Sequence, residues 1–159
     1  MIAASALVDK LSDARRLWGG EPAAIFADGG SIGGPIIDRM MQLGVENIIE
    51  IMFGSAAEEK DKWGNKRAEM WARMRNWLEI GCLDGDQQLY DDLIAPELLI
   101  KKNSDVFILE SKEDMKARGL PSTDDGDALA LTFAHPVVAR VQNFVPLIET
   151  PIMDTSVGY

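Results

Sequence analysis

The chain has one cysteine and one histidine in 159 residues. A single thiol, Cys82, leaves no intrachain disulfide and no thiolate zinc cage; as a lone cysteine it reads as a small buried residue. A single imidazole, His135, leaves little material for histidine metal sites or a Ser-His-Asp triad. No apolar run approaches a membrane span. The opening "MIAASALVDKLSDARR" has neither the basic start nor the apolar stretch of a signal peptide, so residence in a cytoplasm is the expectation. Positive charge is scarce as well. Sixteen Lys and Arg face 26 Asp and Glu, a formal net charge of -10. That balance weighs against a non-specific polyanion binder unless charge is segregated by face, and acid-rich clefts suit divalent metal ions.

What is present fits one domain with a real core: 47% apolar and 26% charged residues are ordinary proportions for a folded chain. Ile2, Leu7, Leu11 and Leu17 recur at roughly helical spacing over residues 2–17, and "WGGEP" ends that helix. "AAIFA" is a buried strand, "PIIDRMMQLG" a helix with Pro35 in its first turn and Gly44 as its stop, and "NIIEIMF" a second strand. Strand, helix, strand with short connections predicts a βαβ unit with parallel strands. Met70, Trp71, Met74, Trp77 and Leu78 form a stripe at helical period between Trp63 and Gly81, which reads as core packing rather than a ligand surface. "QQLYDDLIAPELL" predicts a shorter helix broken at Pro96. "LLIKKNSDVFILE" predicts two strands joined at an Asn-Ser turn, and a final helix runs from Asp124 to Ala134. From Pro136 the tail holds three prolines and is expected to be irregular.

Chemistry gathers at two acidic points. In "IFADGGSIGG" an apolar strand ends on Asp28, and four glycines follow within six positions. A phosphate-binding loop fits poorly. Pro35-Ile36-Ile37 stand where a Walker loop needs Lys and Ser or Thr, and a dinucleotide fingerprint begins with glycine rather than an acid. Asp28 is placed where a parallel strand delivers a side chain to the carboxyl edge of a sheet, or it caps the next helix. The glycines permit close approach of backbone or substrate. In "STDDGDALALTF", Asp124, Asp125 and Asp127 occupy four positions at a helix start, where one caps and the others are solvated, or where a cation offsets their repulsion. Two acid sites at element ends shift the balance towards metal binding, and hard oxygen donors point to Mg²⁺ or Mn²⁺. Eleven of the sixteen Lys and Arg fall between Lys60 and Arg75 or between Lys101 and Arg118. Such runs are either solvated helix faces or the flanks of an acidic, metal-carrying cleft that acts on a phosphodiester.

Three stretches carry a resemblance. "IFADGGSIGGPIIDRMMQLG", "NKRAEMWARMRNWL" and "LESKEDMKARGLPSTDDGDALALTFA", in this order and spacing, resemble the C-terminal nuclease domain of the large terminase subunit of tailed bacteriophages, over roughly residues 5–135. The resemblance implies an α/β, ribonuclease H-like fold: a mixed sheet flanked by helices, with a β-hairpin before the last helix. It implies a domain at 1–135 and a Pro-containing tail at 136–159. Its implied activity is cleavage of double-stranded viral DNA during packaging, through acids that hold two Mg²⁺ or Mn²⁺ ions about 4 Å apart. Asp28 then matches the second catalytic acid and Asp127 the third. Asp124 is the near alternative, and Asp125 assists as a metal ligand. Lys66, Arg67, Lys112, Lys116 and Arg118 are the DNA-binding candidates.

The resemblance also implies a departure. The family's first acid lies on a strand upstream of the helix that begins at Met1, and no Walker motif marks the ATPase domain. The expectation is therefore an N-terminally truncated fold whose "AAIFA" strand has an unpaired apolar edge, open to self-association or to a partner's strand. The implied partners are double-stranded DNA and other terminase or portal components, in a bacterial host cytoplasm and with no membrane. The alternative function is a catalytically impaired fragment, from a split gene or prophage remnant, that serves as an interaction module of the packaging machinery. A resolvase or another nuclease of the same fold is the more remote reading.

Overall fold

The computed structural model describes residues 2–30 and 33–138. The tail from residue 139 onward, expected to be irregular, lies outside the described residues.

A parallel strand pair lies between two layers of helices. Helix α1 (Ile2–Trp18) ends as the chain turns through Gly19 at φ 71°, a left-handed value that glycine adopts without Cβ strain. Strand β1 (Ile25–Asp28), helix α2 (Gly33–Gln42) and strand β2 (Ile48–Ile51) form the expected βαβ unit. The strands are parallel, with Ile25 opposite Ile48 and Asp28 opposite Ile51. Side chains alternate across a strand, so the two faces pack differently. Ile25 and Ile48 meet Ala4, Met40 and Val45 on the α1–α2 side. Phe26 and Ile51 meet Met70, Trp71 and Ala130 on the other. Asp28 stands two residues beyond Phe26 and shares that second face. Among the described residues β1 has a strand neighbour only in β2.

Helix α3 (Lys66–Leu78) begins three residues later than the apolar stripe suggests. The Asn65 side chain accepts the Ala68 N–H at 2.9 Å and sets the start. Trp63 instead bridges to Phe107, their rings 5.9 Å apart. Met70 and Met74 are 0% and 1% exposed, and each such burial contributes about 1.5–3 kcal/mol, more than an exposed ion pair offers. The stripe is core. Helix α4 (Gln87–Ile94) stops before Pro96, and strands β3 (Leu98–Ile100) and β4 (Phe107–Leu109) pair antiparallel around a turn in which Asn103 has φ 64°.

Three features differ from the reading of the sequence. The strands form two separate two-stranded sheets among the described residues, and the isolated Trp63–Phe107 bridge adds a loop residue beside β4. A further short helix, α5 (Lys112–Ala117), stands between the hairpin and the final helix, α6 (Asp124–Leu131). Ser111 caps α5 by accepting the Asp114 N–H at 3.1 Å, and Met115 anchors it at 0% exposure. Cys82 is exposed rather than buried, because it falls in the loop between α3 and α4.

Candidate active site

Strand β1 delivers Asp28 to its carboxyl end, where the carboxylate is exposed and its Oδ1 accepts the Gly30 N–H at 2.9 Å. The glycines that follow admit protein atoms. The Glu50 side chain from β2 lies where a Cβ on Gly29 would stand, and the Asp28 carbonyl closes on Gly33 in the same way. An alanine at either position would force a shift.

Asp127 sits on the first turn of α6 and is 4% exposed. Its Oδ1 accepts from Arg67 Nε at 2.9 Å and from Trp71 Nε1 at 2.8 Å. Its Oδ2 faces Lys112 Nζ at 3.0 Å, and the same ammonium lies 3.0 Å from Asp124 Oδ1. Burial works against the Lys112 charge, but the hydrogen bonds to Asp127 and Asp124 outweigh it and raise the pKa above the ordinary lysine value. A hydrogen bond from Ser122, then one from Lys112, hold the Asp124 carboxyl below its usual range. Asp125 is exposed, and its backbone N–H donates to Asp92 Oδ2 at 2.9 Å. Gly126 N–H joins it at 3.1 Å, so the buried Asp92 caps α6 from across the fold.

The cations divide sharply. Arg67 is 8% exposed and donates to Asp127, to Thr123 Oγ1 at 3.1 Å and to the Glu110 carbonyl at 2.9 Å. Lys66 is 4% exposed and bridges Glu58 at 2.8 Å and Glu69 at 2.9 Å. Both are internal ties: carboxylates engage Lys66, and a carboxylate, a hydroxyl and a carbonyl engage Arg67. Arg118 forms a two-pronged pair with Glu110, at 2.8 and 2.6 Å, and reaches Glu97 at 2.9 Å. Lys116 is exposed and makes no ion pair with any described residue.

Three acids escaped the reading of the sequence. Glu110 follows an apolar strand run just as Asp28 does, and the Arg118 hydrogen bonds hold its carboxyl below the ordinary range. Burial alone would raise the Glu69 carboxyl, but the Glu59 N–H, Lys66 and the Glu58 N–H keep it lowered. Hydrogen bonds from Lys66 and then Arg73 bring Glu58 down to about 2.

No family model matches the chain, and no curated protein does. Solved structures do. A lysine-to-alanine mutant of the nuclease domain of the large terminase subunit gp2 of bacterial virus Sf6, with manganese, superimposes with a TM-score of 0.61. The match is 18% identical and spans 78% of this chain and 70% of that one. The same domain with manganese and beta-thujaplicinol gives 0.60 over 79% and 70%, again at 18% identity. The fold is that of a terminase nuclease domain. The likeness carries the ribonuclease H-like expectation for the architecture. Among the described residues of this terminase-like fold, no three His, Cys, Asp or Glu side chains converge closely enough to hold a metal ion, and no helix is long and apolar enough to cross a membrane.

Proposed function

We propose that the chain is the metal-dependent endonuclease domain of a phage packaging terminase, cutting double-stranded DNA in the cytoplasm of a bacterial host. The observation that carries this reading is the Lys112 ammonium, 3.0 Å from both Asp124 and Asp127, in a fold shared with a nuclease domain determined with manganese. The ammonium stands in for a cation: the two carboxylates are disposed to share one positive charge. Asp28, on the face of β1 that meets the α3–α6 core, adds an exposed carboxylate whose Oδ2 has no partner among the described residues. Asp28, Asp124 and Asp127 are the residues that would hold Mg²⁺ or Mn²⁺, with Asp125 beside them. A two-metal centre activates a water and stabilises the leaving oxygen of a phosphodiester.

The chain's own residues perform the supporting work. Arg67 and Trp71 hold Asp127 Oδ1, while Oδ2 accepts from Arg67 Nη2 at 3.4 Å and pairs with Lys112 at 3.0 Å. Thr123, bound by the same guanidinium, fixes the start of α6, so the acidic turn is oriented from α3. Lys116, exposed and without an ion pair among the described residues, would meet a phosphate, as would Lys112 if a bound metal replaced its charge at the acids. Terminase or portal components, and self-association along the side of β1 that no described strand covers, complete the proposed partners.

A second reading has its own support. Asp127 is already engaged by three donor side chains, and three acids do not converge among the described residues. A chain of this fold that kept the site's architecture but not its catalysis would serve as an interaction module of the packaging machinery. Thermal melting with and without Mn²⁺ separates the readings, because a ligand held only by the folded state raises the midpoint. The nuclease reading expects a rise that Asp124→Asn reduces. An unchanged midpoint at saturating Mn²⁺ favours the module.

A further inference from the structure

The β3–β4 hairpin presents a surface that the proposed nuclease chemistry does not use. Its inner hydrogen bonds run between Glu97 and Glu110 at 2.8 Å and between Lys101 and Val106 at 2.9 Å, with Leu99 opposite Ile108 between them. Antiparallel pairs alternate, so the N–H and C=O groups of Leu98 and Ile100 point away from β4. No described strand lies on that side. Leu98 and Ile100 share one face of β3 and are 49% and 66% exposed. Beside them lies a cavity of ≈ 250 Å³ between α3, α4 and the hairpin, walled by Trp63, Trp71, Met74, Leu93, Leu98 and Leu109. Arg75 stands on its rim, and Lys101 and Lys102 follow β3 directly. All three cations are exposed and make no ion pair with a described residue, on a chain of net charge -10.

We propose that β3 is the docking edge for an extended segment of a partner protein in which bulky apolar residues alternate with acidic ones. The free N–H and C=O groups pair with the incoming backbone, which supplies affinity without regard to sequence. Alternate side chains of an added strand fall on the cavity side, and the cavity accepts a leucine- or phenylalanine-sized group there. The carboxylates of such a segment lie within the screening length of Arg75, Lys101 and Lys102, whose positive charge attracts them. A small apolar ligand would account for the cavity but leave the strand edge and the two lysines without a role. An extended acidic segment uses all three features.

The test uses the full chain and a fluorescein-labelled peptide alternating leucine with glutamate, beside one alternating leucine with lysine. The glutamate peptide binds, the lysine peptide does not, and hydrogen exchange at the Leu98 and Ile100 amides slows only with the former. Arg75→Glu weakens binding by about tenfold or more, because it replaces an attraction with a repulsion. Ile100→Pro removes one outward N–H and weakens binding while far-UV circular dichroism is unchanged. Equal binding of the two peptides overturns the proposal, as does unchanged affinity in both variants. Failure of the glutamate peptide to bind the folded chain overturns it too. A concentration-dependent dimer abolished by these same substitutions would assign the edge to a second copy and overturn the partner-segment reading.

Discussion

Replacing Arg67 with alanine separates its two possible roles by magnitude. The guanidinium is 8% exposed and makes hydrogen bonds to Asp127, Thr123 and the Glu110 carbonyl, tying α3 to α6 and to the end of β4. Removing one member of a buried ion pair costs about 3–5 kcal/mol, because the remaining charge has been taken from water without its partner. Asp127 retains Trp71 and Lys112, so the lower end applies, about 3 kcal/mol. In a domain of this size that lowers the melting midpoint by about 6–12 °C. Urea unfolding at neutral pH reads the loss directly. A double variant, Arg67→Met with Asp127→Leu, leaves no buried charge alone and recovers at least about 1 kcal/mol over Arg67→Ala. A surface cation that contacts DNA behaves otherwise: its loss stays within about 0.5 kcal/mol in stability and weakens DNA binding instead. A destabilisation below about 1 kcal/mol would refute the internal-tie assignment.

Other consequences follow from the same contacts. Lys116→Ala weakens DNA binding and reduces its salt slope by about one without moving the melting midpoint, whereas Lys66→Ala lowers the midpoint; the opposite pattern contradicts the division between free and internal cations. Asp92→Ala removes the acceptor for the Asp125 and Gly126 N–H groups, costs about 1–2 kcal/mol and speeds exchange at those two amides. Glu58 has a folded pKa of about 2 against 4.5 for the free group, so its contribution is present above pH 4.5 and lost as pH falls from 4.5 towards 2. Glu58→Gln therefore flattens the dependence of the urea midpoint on pH across that window, and an unchanged slope counts against the Lys66–Glu58–Arg73 cluster.

The elements were legible where punctuation was strong. Gly44, Pro35 and the short apolar runs mark the βαβ unit, and Asn103 with its positive φ sits in the turn that the Asn-Ser pair signals. Helix α5 carries a start signal in Ser111 and Asp114, but its six residues are too few to show a helical period. The acidic points were found from their density and their place at element ends. The fate of the bases was not legible. Arg67 meets Asp127 60 positions away, and Lys66 is closed in by Glu58 from the preceding loop, so no local pattern distinguishes them from Lys116. Asp92 shows the same limit: its role as cap for α6 exists only once α4 and α6 pack together.

Asp127 is itself such a tie, so its removal tests folding along with chemistry. Asp28 is cleaner, since its carboxylate is exposed and, among the described residues, is bound only by the Gly30 N–H. The most direct test is cleavage of supercoiled plasmid by the wild-type chain and by Asp28→Asn, each in Mn²⁺ and in EDTA. Cleavage that needs both Mn²⁺ and the Asp28 carboxylate, with matching melting curves for the two proteins, is the predicted result. Cleavage unaffected by Asp28→Asn, or no cleavage by a folded wild-type chain, would contradict a metal-dependent nuclease built on Asp28, Asp124 and Asp127.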